Sequence, residues 1–221
     1  MRNFIFTILA SFYLCIGFAQ VAVKDEPRHH NVFENDFVRV LDVFIPPGDT
    51  TQFHVHATPS LFIPFTIAKT ASQIMGAQLL PGSNSLPGAA WYDSLVVPRI
   101  HRVWNEDSTW FHVMDIELTG GEPRSNLQPI VNPGFQLLYN KPLANIYKLT
   151  LQAGMNVQFP ESPGGYLLIS TGDAVIDCHI NAIIQHRIMK AGHYIWIQSN
   201  GVSFLTAQDN LPATLLLLQL K

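Results

Sequence analysis

From about residue 37 to the end of the chain, hydrophobic and polar residues alternate in short runs. Val38-Arg-Val-Leu-Asp-Val-Phe-Ile45 and Asn145-Ile-Tyr-Lys-Leu-Thr-Leu151 show the period of two that puts successive side chains on opposite faces of a strand. Pro46-Pro47-Gly48, Pro81-Gly82-Ser83-Asn84 and Ser162-Pro163-Gly164-Gly165 punctuate the runs with turn residues. The pattern predicts strands near 37–45, 51–56, 60–67, 71–79, 94–97, 101–105 and 110–118. A second series is predicted near 134–139, 144–151, 155–159, 166–170, 173–180, 183–189, 194–198, 202–207 and 213–220. Beyond the first twenty residues no long apolar pattern follows a helical period. Many short strands at this spacing predict an all-β sandwich or barrel.

The two series repeat one another. The run ending at Ile45 leads to Gly48, and the run ending at Leu151 leads to Gly154. Each glycine is followed by five residues that end in phenylalanine, Asp49–Phe53 and Met155–Phe159. The glycines lie 106 positions apart (154 − 48), close to half the chain that follows the N-terminal segment. An internal duplication is therefore expected, with lobes at 20–125 and 126–221 joined through Thr119–Asn126.

Residues 1–19 read as a signal peptide. Arg2 gives a short positive start, Phe4 through Phe18 is uncharged and apolar, and Gly17-Phe18-Ala19 supplies small residues for cleavage after Ala19. The run is shorter than the ~20 residues of a spanning helix, so no membrane span is expected in the mature form. The expected location is secreted or periplasmic. Cys15 leaves with the signal, so Cys178 remains alone and burial must hold the fold together without an intrachain disulfide. The formal charge of −3 becomes −4 once Arg2 is lost, and no basic cluster occurs. That removes nucleic acid and anionic membrane surfaces from the expected partners. Nucleophile-elbow, phosphate-loop and dinucleotide fingerprints are also missing.

Chemistry concentrates in Gly48-Asp-Thr-Thr-Gln-Phe-His54-Val-His56 and Pro98-Arg-Ile-His101-Arg-Val-Trp-Asn105. His54 and His56 sit two apart on a predicted strand, so both imidazoles point one way. A third imidazole, His101, heads another strand. Neutral imidazole suits Zn, Fe, Cu or Ni, and three such ligands leave positions open for water or substrate.

With these residues the chain resembles the cupin superfamily, whose first motif places His-x-His after a glycine and five residues. Its second motif spaces proline, histidine and asparagine as Pro98, His101 and Asn105 stand here. The resemblance implies two jelly-roll barrels in tandem, a bicupin, with His54, His56 and His101 as metal ligands at the mouth of the first. The family's glutamate would fall at Ser60 or Leu61 and is missing; no acid lies between Asp49 and Asp93. An all-histidine site remains, a form the family uses in some mononuclear iron dioxygenases. In the second lobe Pro160 and Ser162 replace the paired histidines, and aligning Asn200 with Asn105 puts Trp196 at the third position.

The resemblance implies a divalent transition metal, with Fe(II) favoured over Zn, Mn, Ni and Cu. It also implies a dioxygenase-like reaction on a small oxygen-chelating substrate. The alternative is a non-catalytic module for a sugar or other small ligand. A homodimer fits either reading. His29-His30, ahead of the first predicted strand, is expected to be a solvated pair. His112 is expected to be a core histidine, entering the barrel only if Phe111 and Val113 face outward. Ser60, Gln73 and Gln78 are the remaining polar residues that predicted strands could turn toward the cavity.

Overall fold

The computed structural model describes residues 20–180, 183–198, 203–207 and 212–221; the expected signal segment and Asn200 lie outside them. Among the described residues there are nineteen strands, one 3-10 turn at Val23–Asp25 and no helix long and apolar enough to cross a membrane. In the first half the strands are β1 (Val21–Ala22), β2 (His29–Glu34), β3 (Val38–Ile45), β4 (His54–His56) and β5 (Ser60–Pro64). They continue as β6 (Lys69–Ile74), β7 (Leu79–Asn84), β8 (Trp91–Asp93), β9 (Arg99–Asn105) and β10 (Phe111–Leu118). The second half holds β11 (Phe135–Asn140), β12 (Ala144–Leu151), β13 (Asn156–Phe159), β14 (Tyr166–Ser170) and β15 (Ala174–Ile180). It ends with β16 (Ile183–Met189), β17 (Tyr194–Ile197), β18 (Ser203–Ala207) and β19 (Ala213–Leu220).

The duplication is explicit in the sheet orders. Sheet β2-β3-β10-β5-β8 has its counterpart in β11-β12-β19-β14-β17, and β4-β9-β6-β7 in β13-β18-β15-β16. Gly48 and Gly154 take up matching left-handed conformations, φ 73° and 68°, in the turns before β4 and β13. Glycine adopts that region without the steric cost a Cβ would bring. The protein is therefore all-β, with two cupin-like domains of two sheets each.

Alternation decides what each strand face meets. Even-numbered residues of β3 and β10, Val38, Val40, Met114, Ile116 and Leu118, join Leu61 and Ile63 of β5 against the second lobe. That lobe answers with Ile146, Leu167, Ile169, Leu216, Leu218 and Leu220, so the two halves share one buried face. The odd-numbered residues Leu41, Val43, Ile45, Phe111 and Val113 turn inward, into the first lobe. The second lobe's interior is packed with Tyr147, Phe159, Tyr166, Leu168, Leu215 and Leu217.

Three local expectations give way. Pro81-Gly82-Ser83-Asn84 lies within β7, because pairing with β6 through Lys69↔Asn84 and Thr70↔Ser83 overrides the turn chemistry. The strand expected near 94–97 forms at Trp91–Asp93 instead, where β5 offers a ladder. Val96 and Val97 are exposed beyond Leu95, whose φ of 47° breaks the extended run. Finally, β2 begins at His29, within a segment too polar to signal a strand by alternation; its pairing with β3 creates it.

Because the lobes share a core, Ile116→Ala is expected to lower stability by about 2–5 kcal/mol and to shift one cooperative transition. Urea unfolding followed by tryptophan fluorescence and circular dichroism checks this; two separate transitions would contradict it.

Candidate metal centre

The sheet containing β4 and β9 brings the predicted histidines together. His54 on β4 stands opposite His101 on β9, and His56 stands opposite Arg99. The period of two turns both β4 imidazoles inward, with His54 and His56 only 1% and 2% exposed. Ring centroids are 4.8 Å apart for His54 and His56, 4.7 Å for His54 and His101, and 4.9 Å for His56 and His101. A fourth ring, His29, lies 4.7 Å from His54. One nitrogen from each of His29, His54 and His56 falls within 4.8 Å of the others, a grouping able to hold a metal ion.

His29 corrects the expectation of a solvated pair. The neighbouring His30 is exposed, but His29 is buried, its Nδ1 2.6 Å from Glu26 Oε2. Glu26 is itself buried and accepts the backbone N–H groups of Arg28 at 2.8 Å and Gln52 at 3.0 Å. Burial alone would raise the Glu26 carboxyl, but His29 and those two N–H groups hold it below the usual carboxylate range. Glu26, at the end of the 3-10 turn before β2, thus brings a carboxylate up behind His29 in a chain that lacks the family motif's glutamate. Sequence alone gave little sign of it: glutamate three residues before a histidine is a common spacing.

The nitrogen inventory favours a cation. His54 Nδ1 donates to Gln52 O at 2.9 Å, and burial, with His29 and His56 beside it, pushes the ring down to about 3. The ring is therefore neutral with a bare Nε2. That Nε2 lies 3.0 Å from His56 Nε2, while His56 Nδ1 faces Asp115 Oδ2 at 3.3 Å. A proton on His56 Nε2 would be donated to His54 Nε2 and leave His56 Nδ1 without a partner beside Asp115. A proton on Nδ1 leaves two lone pairs meeting at 3.0 Å, which a cation between them relieves. Two nitrogens at ~2.1 Å from one ion and at right angles would stand about 3.0 Å apart. His101 Nε2 is buried without a hydrogen-bond partner, and burial depresses that ring too. These residues fit a divalent ion.

The histidines open onto a cavity of about 400 Å³. Its apolar wall includes Val43, Ile45, Phe62, Val103, Phe111 and Val113, and its polar atoms come from Thr70, Ser72, Ser83, Arg99 and Asp115. Asp115 is the acid that the local sequence around the histidines did not supply. It shares the inward face of β10 with Phe111 and Val113, and a charged residue at an apolar position of an alternating strand is a readable signal. His112 takes the opposite face, because Phe111 and Val113 face inward. There its Nε2 lies 2.7 Å from Asp42 Oδ1 and its ring stacks on Phe44 at 4.1 Å. Ser60 donates to Thr58 O, Gln73 receives Arg102 at 2.9 Å, and Gln78 is exposed; none of these three lines the cavity.

The second lobe has no comparable cluster among the described residues. Register also corrects the position expected for its third ligand. Trp196 is on β17, which pairs with β14 as β8 pairs with β5, so it corresponds to Tyr92. The counterpart of β9 is β18. Where the first lobe has Asp115, the second has Leu217, each opposite the corresponding residue of β5 or β14.

Fold and site together define a bicupin-like protein with two cupin-type domains and a His29/His54/His56 metal-binding triad in the first. Solved structures agree on the fold. YhaK from Escherichia coli is similar over 90% of this chain and 94% of its own, at 14% identity and a TM-score of 0.57. A cupin 2 conserved barrel domain protein from Leptotrichia buccalis is similar over 93% of this chain and all of its own, at 10% identity and 0.58. Salicylate 1,2-dioxygenase from Pseudaminobacter salicylatoxidans is similar over 85% of this chain and 72% of its own, also at 10% and 0.58. No family model and no curated protein sequence matches the chain.

The low His54 value sets a pH dependence for the metal-free protein. The ring takes up its proton near pH 6.5 when unfolded but only near 3 when folded, so stability falls as pH drops from about 6.5 toward 3. The slope is expected to approach 1.4 kcal/mol per pH unit for this ring. Thermal unfolding across that range should therefore show a shallower decline for His54→Gln than for the unaltered protein.

Proposed function

We propose that the first lobe is a metal-dependent oxidoreductase of the dioxygenase type, acting on a small molecule that chelates through oxygen. The observation that carries this reading is the 3.0 Å approach of the His54 and His56 Nε2 atoms, with His54 Nδ1 donating to Gln52 O and His101 Nε2 buried without a partner beside them. In this reading His54, His56 and His101 hold the ion, and His29 joins them with Glu26 behind it. Fe(II) is favoured, with Zn, Mn, Ni and Cu as competitors for the same nitrogens. The ion would supply open coordination positions for substrate oxygens and, as iron, access to dioxygen. Structural similarity to a salicylate 1,2-dioxygenase supports this choice of reaction.

The chain's own residues have definable tasks. Gln52 O fixes the His54 tautomer, and Glu26 does the same for His29, so neither ring must reorganise to expose Nε2. Asp115 Oδ2 lies 3.3 Å from His56 Nδ1 and is the carboxylate that lines the substrate space. The apolar wall excludes water from the bound molecule. Export through residues 1–19, cleavage after Ala19, lobe limits at 20–125 and 126–221, and pairing into a homodimer belong to the same reading.

Purified protein is expected to carry near-stoichiometric transition metal by elemental analysis, lost in His54→Ala and His101→Ala. Failure to bind any of Fe, Mn, Zn, Ni and Cu after reconstitution would sink the metal reading. Glu26→Gln is expected to weaken metal affinity about 10–100-fold while leaving the fold intact, measured by competition with a chelator. Oxygen consumption with catechols, diketones, flavonoids or thiols then distinguishes an enzyme from a module that only binds.

A further inference from the structure

Arg99 enters the same cavity from the strand that carries His101. The two residues are two apart on β9 and so share a face, and Arg99 is the cross-strand neighbour of His56. Directly opposite residues have Cβ atoms about 4.5–5.5 Å apart. Arg99 and the imidazoles of His54, His56 and His101 thus line one cavity. Asp93 Oδ2 takes its Nη1 at 2.5 Å, and the guanidinium lies 5.7 Å over the Phe62 ring. Its Nε is buried and has no hydrogen-bond partner.

That leaves the guanidinium half used. The edge formed by Nε and Nη2 is the side of the fork that matches the two oxygens of a carboxylate. A buried, unpaired N–H on a charged group is costly, and an acceptor arriving from the cavity would remove the cost. The carboxylate that lines the cavity, Asp115, lies against His56 instead. Beside Arg99, Phe62 and Trp91 stack with centroids 5.2 Å apart and planes 17° from parallel, a flat apolar surface suited to a ring or short hydrocarbon.

We propose that Arg99 is a carboxylate-recognition residue and that the ligand of this cavity is a small organic acid with an apolar or aromatic body. Its carboxylate docks on the free edge of Arg99, its body lies along Phe62 and Trp91, and a further oxygen points to the histidines. This rests on the reading of the cavity as the substrate site. The Arg99 contact itself requires no metal.

The test uses the protein in metal-free and metal-loaded forms, titrated by calorimetry with benzoate, salicylate and the neutral benzyl alcohol. In the metal-free protein, benzoate and salicylate are expected to bind roughly ten- to hundred-fold more tightly than benzyl alcohol. Arg99→Met should abolish that preference and leave benzyl alcohol binding unchanged. Equal affinity for acid and alcohol in the unaltered protein, or no measurable binding of either acid, overturns the proposal, whether or not the variant folds. Acid preference retained in a folded Arg99→Met also overturns it. A protein that prefers acids through Arg99 but takes up no metal would sink the metal reading alone.

Discussion

One sheet, β2-β3-β10-β5-β8, is buried on both faces, and the rest of the molecule is arranged around that constraint. A solvated sheet can tolerate a slip in register at its polar face. Here a shift of one residue would drive Asp115 and Glu117 into the apolar face shared with the second lobe. It would also carry Met114 and Ile116 into the cavity. Register is therefore fixed from both sides at once. Glu117 shows how closely: burial, then Asp115 on the same face, raise its carboxyl, and Arg39 meets it at 2.7 Å to oppose the rise.

The same constraint separates scaffold from chemistry. The inward face of β10 carries Asp115 to the metal centre, while its outward face supplies Met114, Ile116 and Leu118 to the interlobe core. In the second lobe the corresponding inward position is Leu217, and the interior closes over it with Tyr147, Tyr166 and Phe159. Two copies of one topology thus differ in whether a polar group lies at the centre of the strand that lines the cavity. A packed interior gains from dispersion and leaves no buried acid to satisfy. An open one needs partners for each polar atom.

Much of this was legible in the chain. The duplication showed in Gly48 and Gly154, the strand class in simple alternation, and the His54, His56 and His101 cluster in their spacing. What escaped was set by contacts distant in sequence. His29 sits in a polar segment whose strand exists only because β3 offers a ladder, and its burial depends on Glu26 folding back over a 3-10 turn. Arg99 and His56 lie 43 positions apart (99 − 56) and become neighbours only through strand pairing. Pro81 and Gly82 mislead for the opposite reason: their local preference is overruled by the neighbouring strand.

The strand that presents His29 is also held by the second lobe. Tyr194 Oη donates to Val32 O at 2.8 Å, and Phe33 packs between Tyr194 and Trp196, with centroids 5.9 and 5.6 Å away. The C-terminal half, with no comparable metal-binding cluster among its described residues, fastens the far end of the strand that supplies one of the first half's imidazoles. The second copy thus acts as a brace for the strand that holds His29 in the first.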